Sequence, residues 1–485
     1  MVAPNGGARL GFLTGRFMST TTLKSAGQWA QEEFGFAELG EARLNERVVK
    51  IARRLAAHPG GTLPQAFPDW AELKAAYRFF DNRRVDFQEV VRPHVERTRG
   101  FCRQPGEYLI IEDFSVLDYT RHSRTEDLGI IGHGEGRGFE LHTALAVRVE
   151  GWTLEQRPEG QVVGVFDQRC CRPSPAPAAE TRRNRLKRPR KSNYWAEAFQ
   201  RSGSPPPGCC WIYVADRESD FYEPMQICRE AGVDFVIRGY QDRRLADGAG
   251  KLRSALAVAA VWGQSLVELR SRAGEAARTA IVELRSVQVD LDGPWRPGGW
   301  QEPLRGVTVV EVTEIDAPEG VREPLHWILL SSLPCRSLAQ ARRIVGRYAA
   351  RWWVEEYHKA LKSGAGVEES QLARAGRLEP LIAVLAVVAV RLLNTKMLAR
   401  SRPEGLEAQQ SFGPEALAIL EAKFGQPKGG WSNQKVLVAT ARLGGFLARK
   451  HDGMPGWQTI WRGWQRLIWM CEGLETLSEG GTTCG

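Results

Sequence analysis

Tyr348, Arg351, Glu355 and Lys362 are the residues whose types and spacing carry the most chemistry in this chain. At about 100° per residue they fall at roughly 0°, 300°, 340° and 320° around a helix, inside an arc of about 60°. Glu356 falls at roughly 80°, which singles out Glu355 as the carboxylate on that face. A solvated helix face can carry an Arg/Glu/Lys trio, but a tyrosine beside Trp352-Trp353 is unusual on one. Two further carboxylates end apolar runs: Tyr108 to Ile111 leads into Glu112-Asp113, and Trp211 to Ala215 leads into Asp216. Either aspartate alone is an ordinary turn residue. Ligand sites in α/β sheets, however, gather at the C-terminal edges of strands. Three carboxylates delivered by two strands and a helix are what two Mg²⁺ ions need. Hard cations take oxygen ligands, and a metal pair stabilises the attacking and leaving oxygens of an in-line phosphoryl displacement. Arg351 and Lys362 would then hold DNA phosphates beside the metals.

Positioning such groups takes an α/β core, and the texture around them predicts one. From Tyr108 onward, strands of about five or six residues bounded by turn residues alternate with helical segments. The Gly132–Gly138 stretch reads as a tight connection into the strand Leu141–Val149. Upstream, Trp29, Ala30, Glu33 and Phe34, then Leu44, Val48, Ile51 and Leu55, recur at three-to-four spacing, as amphipathic helices do. The polar face of the second segment carries Arg43, Arg47, Lys50, Arg53 and Arg54 against only Glu41 and Glu46, a bias toward phosphate contact. Between about 239 and 332, alternating segments such as Val282 to Arg285 and Val307 to Val312 predict an antiparallel β insertion. Helical texture returns at Leu338 and holds to the end. Its longest apolar run, Leu381 to Val390, is about half of a bilayer span, so it reads as a buried helix and predicts no membrane partner. Trp457, Trp461 and Trp464, at i, i+4 and i+7, read as a packing or dimer seam.

The expected organisation is a disordered leader over 1–20, with Met18 an alternative start, and a helical DNA-binding domain over 21–88. A catalytic domain over 89–394 and a helical domain over 395–485 follow. The 66 basic against 57 acidic residues give +9, which points to a polyanionic partner. Seven of the ten residues from Arg182 to Lys191 are basic, a flexible loop that becomes a backbone clamp near nucleic acid. The nine cysteines include no C-x-x-C, and Cys170-Cys171 and Cys209-Cys210 are adjacent, so reduced thiols are expected rather than a zinc site.

The run Tyr348-x2-Arg351-x3-Glu355-x6-Lys362 resembles the Y-R-E-K signature of the insertion-sequence-four family of DDE transposases. The resemblance runs nearly the whole chain from about Ala26. It includes Trp29-Ala30, Leu39-Gly40, Ala76-Tyr77-Arg78-Phe79, Ile111-Glu112-Asp113 and Asp216-Arg217-Glu218. It continues through Ser337 to Ala341, Gly364-Ala365-Gly366 and Ala441 to Phe446. It implies an RNase H-like core with a β-rich insertion, flanked by helical DNA-binding and dimerisation domains. It assigns Asp113, Asp216 and Glu355 as catalytic ligands of two Mg²⁺ ions, with Mn²⁺ able to substitute. It implies end nicking, hairpin formation and opening, and strand transfer, performed on transposon-end and target DNA by a homodimer in a synaptic complex. Trp327 stands where the family keeps a base-stacking tryptophan. Arg238 matches an arginine near the DNA backbone, and Arg43 and Arg47 would serve end binding. A cytoplasmic, nucleoid-associated bacterial protein is implied. The chain departs from the family where Lys191 precedes Ser192 and at Tyr194, and the leader before Met18 is unmatched; the triad is intact.

Two other readings compete. A catalytically silent end-binding regulator or relic would be expected to have lost at least one triad or signature residue. An RNase H-like nuclease without strand transfer would need neither Trp327 nor the C-terminal helices. The sequence contains no G-x-x-x-x-G-K-[ST], H-E-x-x-H or G-x-S-x-G, so no nucleotide cofactor is expected.

Overall fold

The structure, a computed structural model, describes residues 25–132, 134–174, 181, 191–270, 277–296 and 298–480. The predicted leader and the basic run from 182 to 190 lie outside them.

The N-terminal helices follow the apolar spacing. Helix α1 (Ala26–Phe34) starts at a capping box between Ser25 and Gln28 and buries Trp29, Ala30, Glu33 and Phe34. Helix α2 (Ala42–Ala57) buries Leu44, Val48, Ile51 and Leu55, so Arg43, Lys50 and Arg53 are exposed and Arg47 half-buried. The short α3 (Leu63–Ala66) and α4 (Trp70–Phe80) lead to α5 (Phe87–Phe101). Buried His94 of α5 joins this layer to the sheet: its Nδ1 lies 2.7 Å from Glu33 Oε2, and its Nε2 accepts the Val165 amide at 3.0 Å.

A ten-stranded sheet crosses the molecule. Strand β1 (Gly106–Asp118) pairs antiparallel with β3 (Gly136–Trp152), which is flanked by β2 (Gly129–Ile131) and β4 (Pro158–Cys171). On its other side β1 pairs in parallel with β5 (Cys209–Ala215), which pairs in parallel with β6 (Asp234–Gly239). The order β4-β3-β1-β5-β6, with β3 antiparallel to β1, is consistent with the expected RNase H-like core. The strands are longer than predicted, at 13, 17 and 14 residues for β1, β3 and β4. Strands β1 and β3 approach closely at Gly138, where a side chain would come within 2.0 Å of the Leu117 carbonyl.

Helices α6 (Lys191–Ser202), α7 (Tyr222–Glu230) and α8 (Leu252–Ala257) accompany the sheet. The inserted strands β7 (Val261–Leu269), β8 (Arg278–Leu291), β11 (Leu304–Ile315) and β12 (His326–Ser331) extend it, while the short β9 (Trp295–Arg296) and β10 (Gly299–Trp300) form a separate hairpin. Because β12 returns antiparallel to β6, the insertion continues the core sheet.

Helix α9 (Leu338–Ala349) crosses this extension, and α10 (Trp352–Lys359) follows. Helix α11 (Ala375–Ser401) is long and apolar enough to cross a membrane, yet 94% of its most apolar window is buried inside the molecule, as expected for Leu381–Val390. Around it pack α12 (Glu407–Phe424), α13 (Asn433–Leu443) and α14 (Trp457–Gly480). Trp457, Trp461 and Trp464 are all buried, and Trp464 meets Phe412 at 4.5 Å. That tryptophan stripe packs within the chain. Among the described residues the eight cysteines form no disulfide with one another.

Candidate active site

Parallel pairing places the two aspartates side by side. Ile111 is level with Val214, and Asp113 and Asp216 each follow two residues later on neighbouring chains. The expectation that both strands end there holds only for β5. Strand β1 runs on to Asp118 because it keeps its second partner, with Asp113 opposite Thr143 of β3. Asp216 instead caps a 3₁₀ turn, Arg217–Ser219, accepting the Glu218 amide at 2.8 Å.

The third carboxylate arrives by a broken helix, not the single regular one predicted. At Ala350–Arg351 the backbone tightens to three-residue hydrogen bonds: the Arg351 amide donates to Tyr348 O at 2.9 Å and the Val354 amide to Arg351 O at 3.1 Å. Beyond α10 the chain widens into a π segment, Ala360–Gly364, closed by the Ala365 amide on Ala360 O at 2.7 Å. Between these joints Arg351 pairs with Glu355 and lies 3.4 Å from Asp113 Oδ2. Burial pushes the Asp113 carboxyl up to about 6, with Asp216 and Glu355 adding to the shift and Arg351 opposing it. Arg351 is held cationic against its burial by Asp113 and Glu355.

Buried Tyr348 meets Trp327 edge-on, ring centres 4.8 Å apart, and the charge of Arg238 bears on its hydroxyl. Asp113, Asp216, Arg238, Trp327, Tyr348, Arg351 and Glu355 thus form one neighbourhood. Lys362 is anchored at its border, donating to Val116 O at 2.5 Å and lying 3.5 Å from Glu368. The π segment carries it off the ideal helical face. Arg43 and Arg47 lie on α2, outside the cluster. Among the described residues no group of three His, Cys, Asp or Glu side chains is gathered closely enough to hold a metal ion, and Arg351 pairs with two of the three candidate carboxylates. The donor set itself, three carboxylates with no sulfur, fits a hard divalent cation.

Three supporting residues were not singled out from sequence. Glu112 is buried behind the aspartates, accepting from Ser219 Oγ at 2.8 Å and from the Tyr213 hydroxyl; burial raises its carboxyl well above the usual range. His358 lies 3.7 Å from Asp113 Oδ2, and burial, with Lys362 and Arg351 nearby, lowers its imidazole to about 3, so it is neutral near pH 7. Asp220 accepts the Tyr240 and Gln241 amides at 2.7 and 2.8 Å and pairs with Arg243 at 2.5 Å. It thereby fastens the turn after Asp216 to the chain after Arg238. A carboxylate embedded in an apolar run was the available signal for Glu112.

Residues 26–85 match the transposase DNA-binding family, and residues 387–481 match the transposase Tn5 dimerisation domain. The chain is a Tn5-like transposase. The two matches bracket residues 86–386, which carry the whole acidic cluster. The DNA-binding match contains Arg43 and Arg47, and the dimerisation match begins inside α11.

About 100° around α10 from Glu355, Glu356 is buried against Lys396, 2.7 Å away, with Lys359 and Arg270 at 3.3 and 3.4 Å. Burial works against its charge, but these three cations hold its carboxyl down to about 2. Its folded value therefore lies below its unfolded one. Its stabilising contribution is complete above about pH 4.5 and is lost as pH falls toward 2. In Glu356→Gln, stability should change less with pH across that window than in the wild type, as denaturant titrations at stepped pH would show.

Proposed function

We propose that this transposase performs cut-and-paste DNA transposition as a DDE enzyme of the insertion-sequence-four family. The observation that carries the proposal is the alignment of Asp113 and Asp216 at the end of the parallel β1–β5 pair, with Glu355 joined to Asp113 through Arg351. The three carboxylates are the holders of divalent cations. When bound, Mg²⁺, or Mn²⁺ in its place, supplies charge stabilisation to the attacking and leaving oxygens of phosphoryl transfer. Arg351 offsets the charge of Asp113 and Glu355, and its remaining N–H donors, with Lys362, Tyr348 and Arg238, orient the scissile phosphate. Trp327 stacks on a base flipped out of the strained hairpin end. Arg43 and Arg47 bind the end sequence from the exposed side of α2. End nicking, hairpin formation, hairpin opening and strand transfer are all phosphoryl transfers, so one site serves each. The working unit is a homodimer pairing two transposon ends in a synaptic complex before target DNA is joined, at the bacterial nucleoid.

The test uses linear DNA carrying the inverted repeats that flank the gene, incubated with purified protein and Mg²⁺ and resolved on a denaturing gel. Hairpin and excised products are expected, and chelation should abolish them. Binding without cleavage would replace the proposal with the silent end-binding regulator; nicks without joined products would replace it with the nuclease. End binding should also weaken steeply with salt, because cations on α2 displace the counterions of DNA phosphates. A flat log–log salt dependence would remove the role given to Arg43 and Arg47.

A further inference from the structure

Helix α10 is eight residues long and lies between a tight joint at 350–351 and a π segment at 360–364. Neither joint continues a regular helix, so the rotation of α10 depends on its lateral bonds. The most concentrated of these converge on Glu356, which is 4% exposed. Its carboxylate takes Lys396 Nζ of α11 at 2.7 Å, Trp457 Nε1 of α14 at 3.0 Å, and Lys359 and Arg270 at 3.3 and 3.4 Å. The Lys396 ammonium also sits 4.2 Å over the Trp457 ring, and the Arg270 guanidinium 3.8 Å over that of Trp352. A buried carboxylate loses its desolvation compensation if such donors withdraw, so the cluster moves as a unit.

We propose that Glu356 is a positioning residue that transmits the state of the C-terminal helices to Glu355. The proposal rests on the role given to Glu355 above. Lys396 and Trp457 both belong to the stretch matched to the dimerisation domain. The indole N–H of α14 and the ammonium of α11 set how α10 is turned, and Glu355, one residue earlier, turns with it. A rotation of about 20° displaces a side-chain tip roughly 6 Å from the helix axis by about 2 Å. Misplacement on that scale is enough to cost a reacting geometry roughly a hundredfold in rate. Displacement of α14 when two copies pair would therefore reach the acidic cluster through one hydrogen-bonded carboxylate.

The experiment measures single-turnover nicking by the full-length protein at saturating end DNA with Mg²⁺. Trp457→Phe, which keeps an aromatic ring and removes the donor, should lower the melting temperature and, at temperatures where the variant is fully folded, slow nicking about tenfold or more with end-DNA affinity unchanged. Glu356→Gln should slow it at least as much, and the double variant should be no slower than Glu356→Gln alone, since both act through one bond. Lys396→Met should slow nicking, and Lys396→Arg should restore most of the rate. Wild-type nicking by Trp457→Phe, or effects of Trp457→Phe and Glu356→Gln that multiply, would overturn the proposal. A parallel Glu355→Gln reaction separates the two levels. If that variant still cuts, the assignment of Glu355 falls; if it is dead while Trp457→Phe is normal, only the coupling falls.

Discussion

Glu355→Ala should lower end cleavage by about 1,000-fold or more, the scale at which several kcal/mol of transition-state stabilisation disappear. End-DNA affinity should stay within about twofold, because the cations proposed to hold the ends lie on α2. The fold should also survive. Glu355 has a 41%-exposed side chain, and its ion pair is with Arg351, which keeps Asp113 as a second partner. Arg351, the more buried partner, thus keeps a compensating carboxylate when Glu355 is removed. The neighbouring substitution makes the contrast: Glu356→Ala would strip a buried carboxylate from Lys396, Trp457 and Arg270 and act on the whole molecule. Gel-resolved cleavage, gel-shift affinity and thermal melting of Glu355→Ala, each beside the wild type, check the three parts. A variant that melts and binds normally yet still cuts would leave Asp113 and Asp216 as the acidic pair and remove Glu355 from the chemistry.

The acidic cluster is legible in the sequence because each aspartate stands where an apolar run gives way to polar residues, and a parallel sheet exposes that transition on one edge. Less legible is the continuation of β1 to Asp118. Its distal half pairs with β3 alone and is mostly half-buried, so its residues lack the apolar run that marks its first half. The helical phase of Tyr348, Arg351 and Glu355 brings those residues together despite the joint at 350–351, since Arg351 and Glu355 remain four apart within it. Lys362 lies inside the π segment, whose one glycine is its last residue, Gly364, and no glycine or proline at 350–351 announces the tighter joint. In the insertion, β8 alternates buried and less buried positions, so its faces can be read directly. That β12 returns to pair with β6 is set by the sheet, not by either strand's own pattern. Glu356 follows the same logic. Its phase away from the acidic face of α10 is visible, but Lys396 comes from α11, Trp457 from α14 and Arg270 from just after β7, and only packing brings them to one carboxylate.

Asp220→Ala should cost about 3–5 kcal/mol of folding stability, the range for removing one partner of a buried ion pair. Asp220 is 1% exposed and serves two backbone amides as well as two guanidinium nitrogens of Arg243, so alanine leaves four donors facing an empty site. Arg243→Met should cost less, about 1.5–3 kcal/mol, because the carboxylate keeps the Tyr240 and Gln241 amides. Urea titrations of the two variants beside the wild type measure the difference. Equal losses would mean that the ion pair alone carries the stability and that the amides find other partners. The ordering bears on the active site because Asp220 ends the turn opened by Asp216, and the amides it holds follow β6, which carries Arg238. If the amides are the larger share, Asp220→Ala should slow nicking even at temperatures where the variant is fully folded, since Asp216 and Arg238 then lose their common anchor. Arg243→Met, which leaves that anchor in place, should cut at close to the wild-type rate under the same conditions.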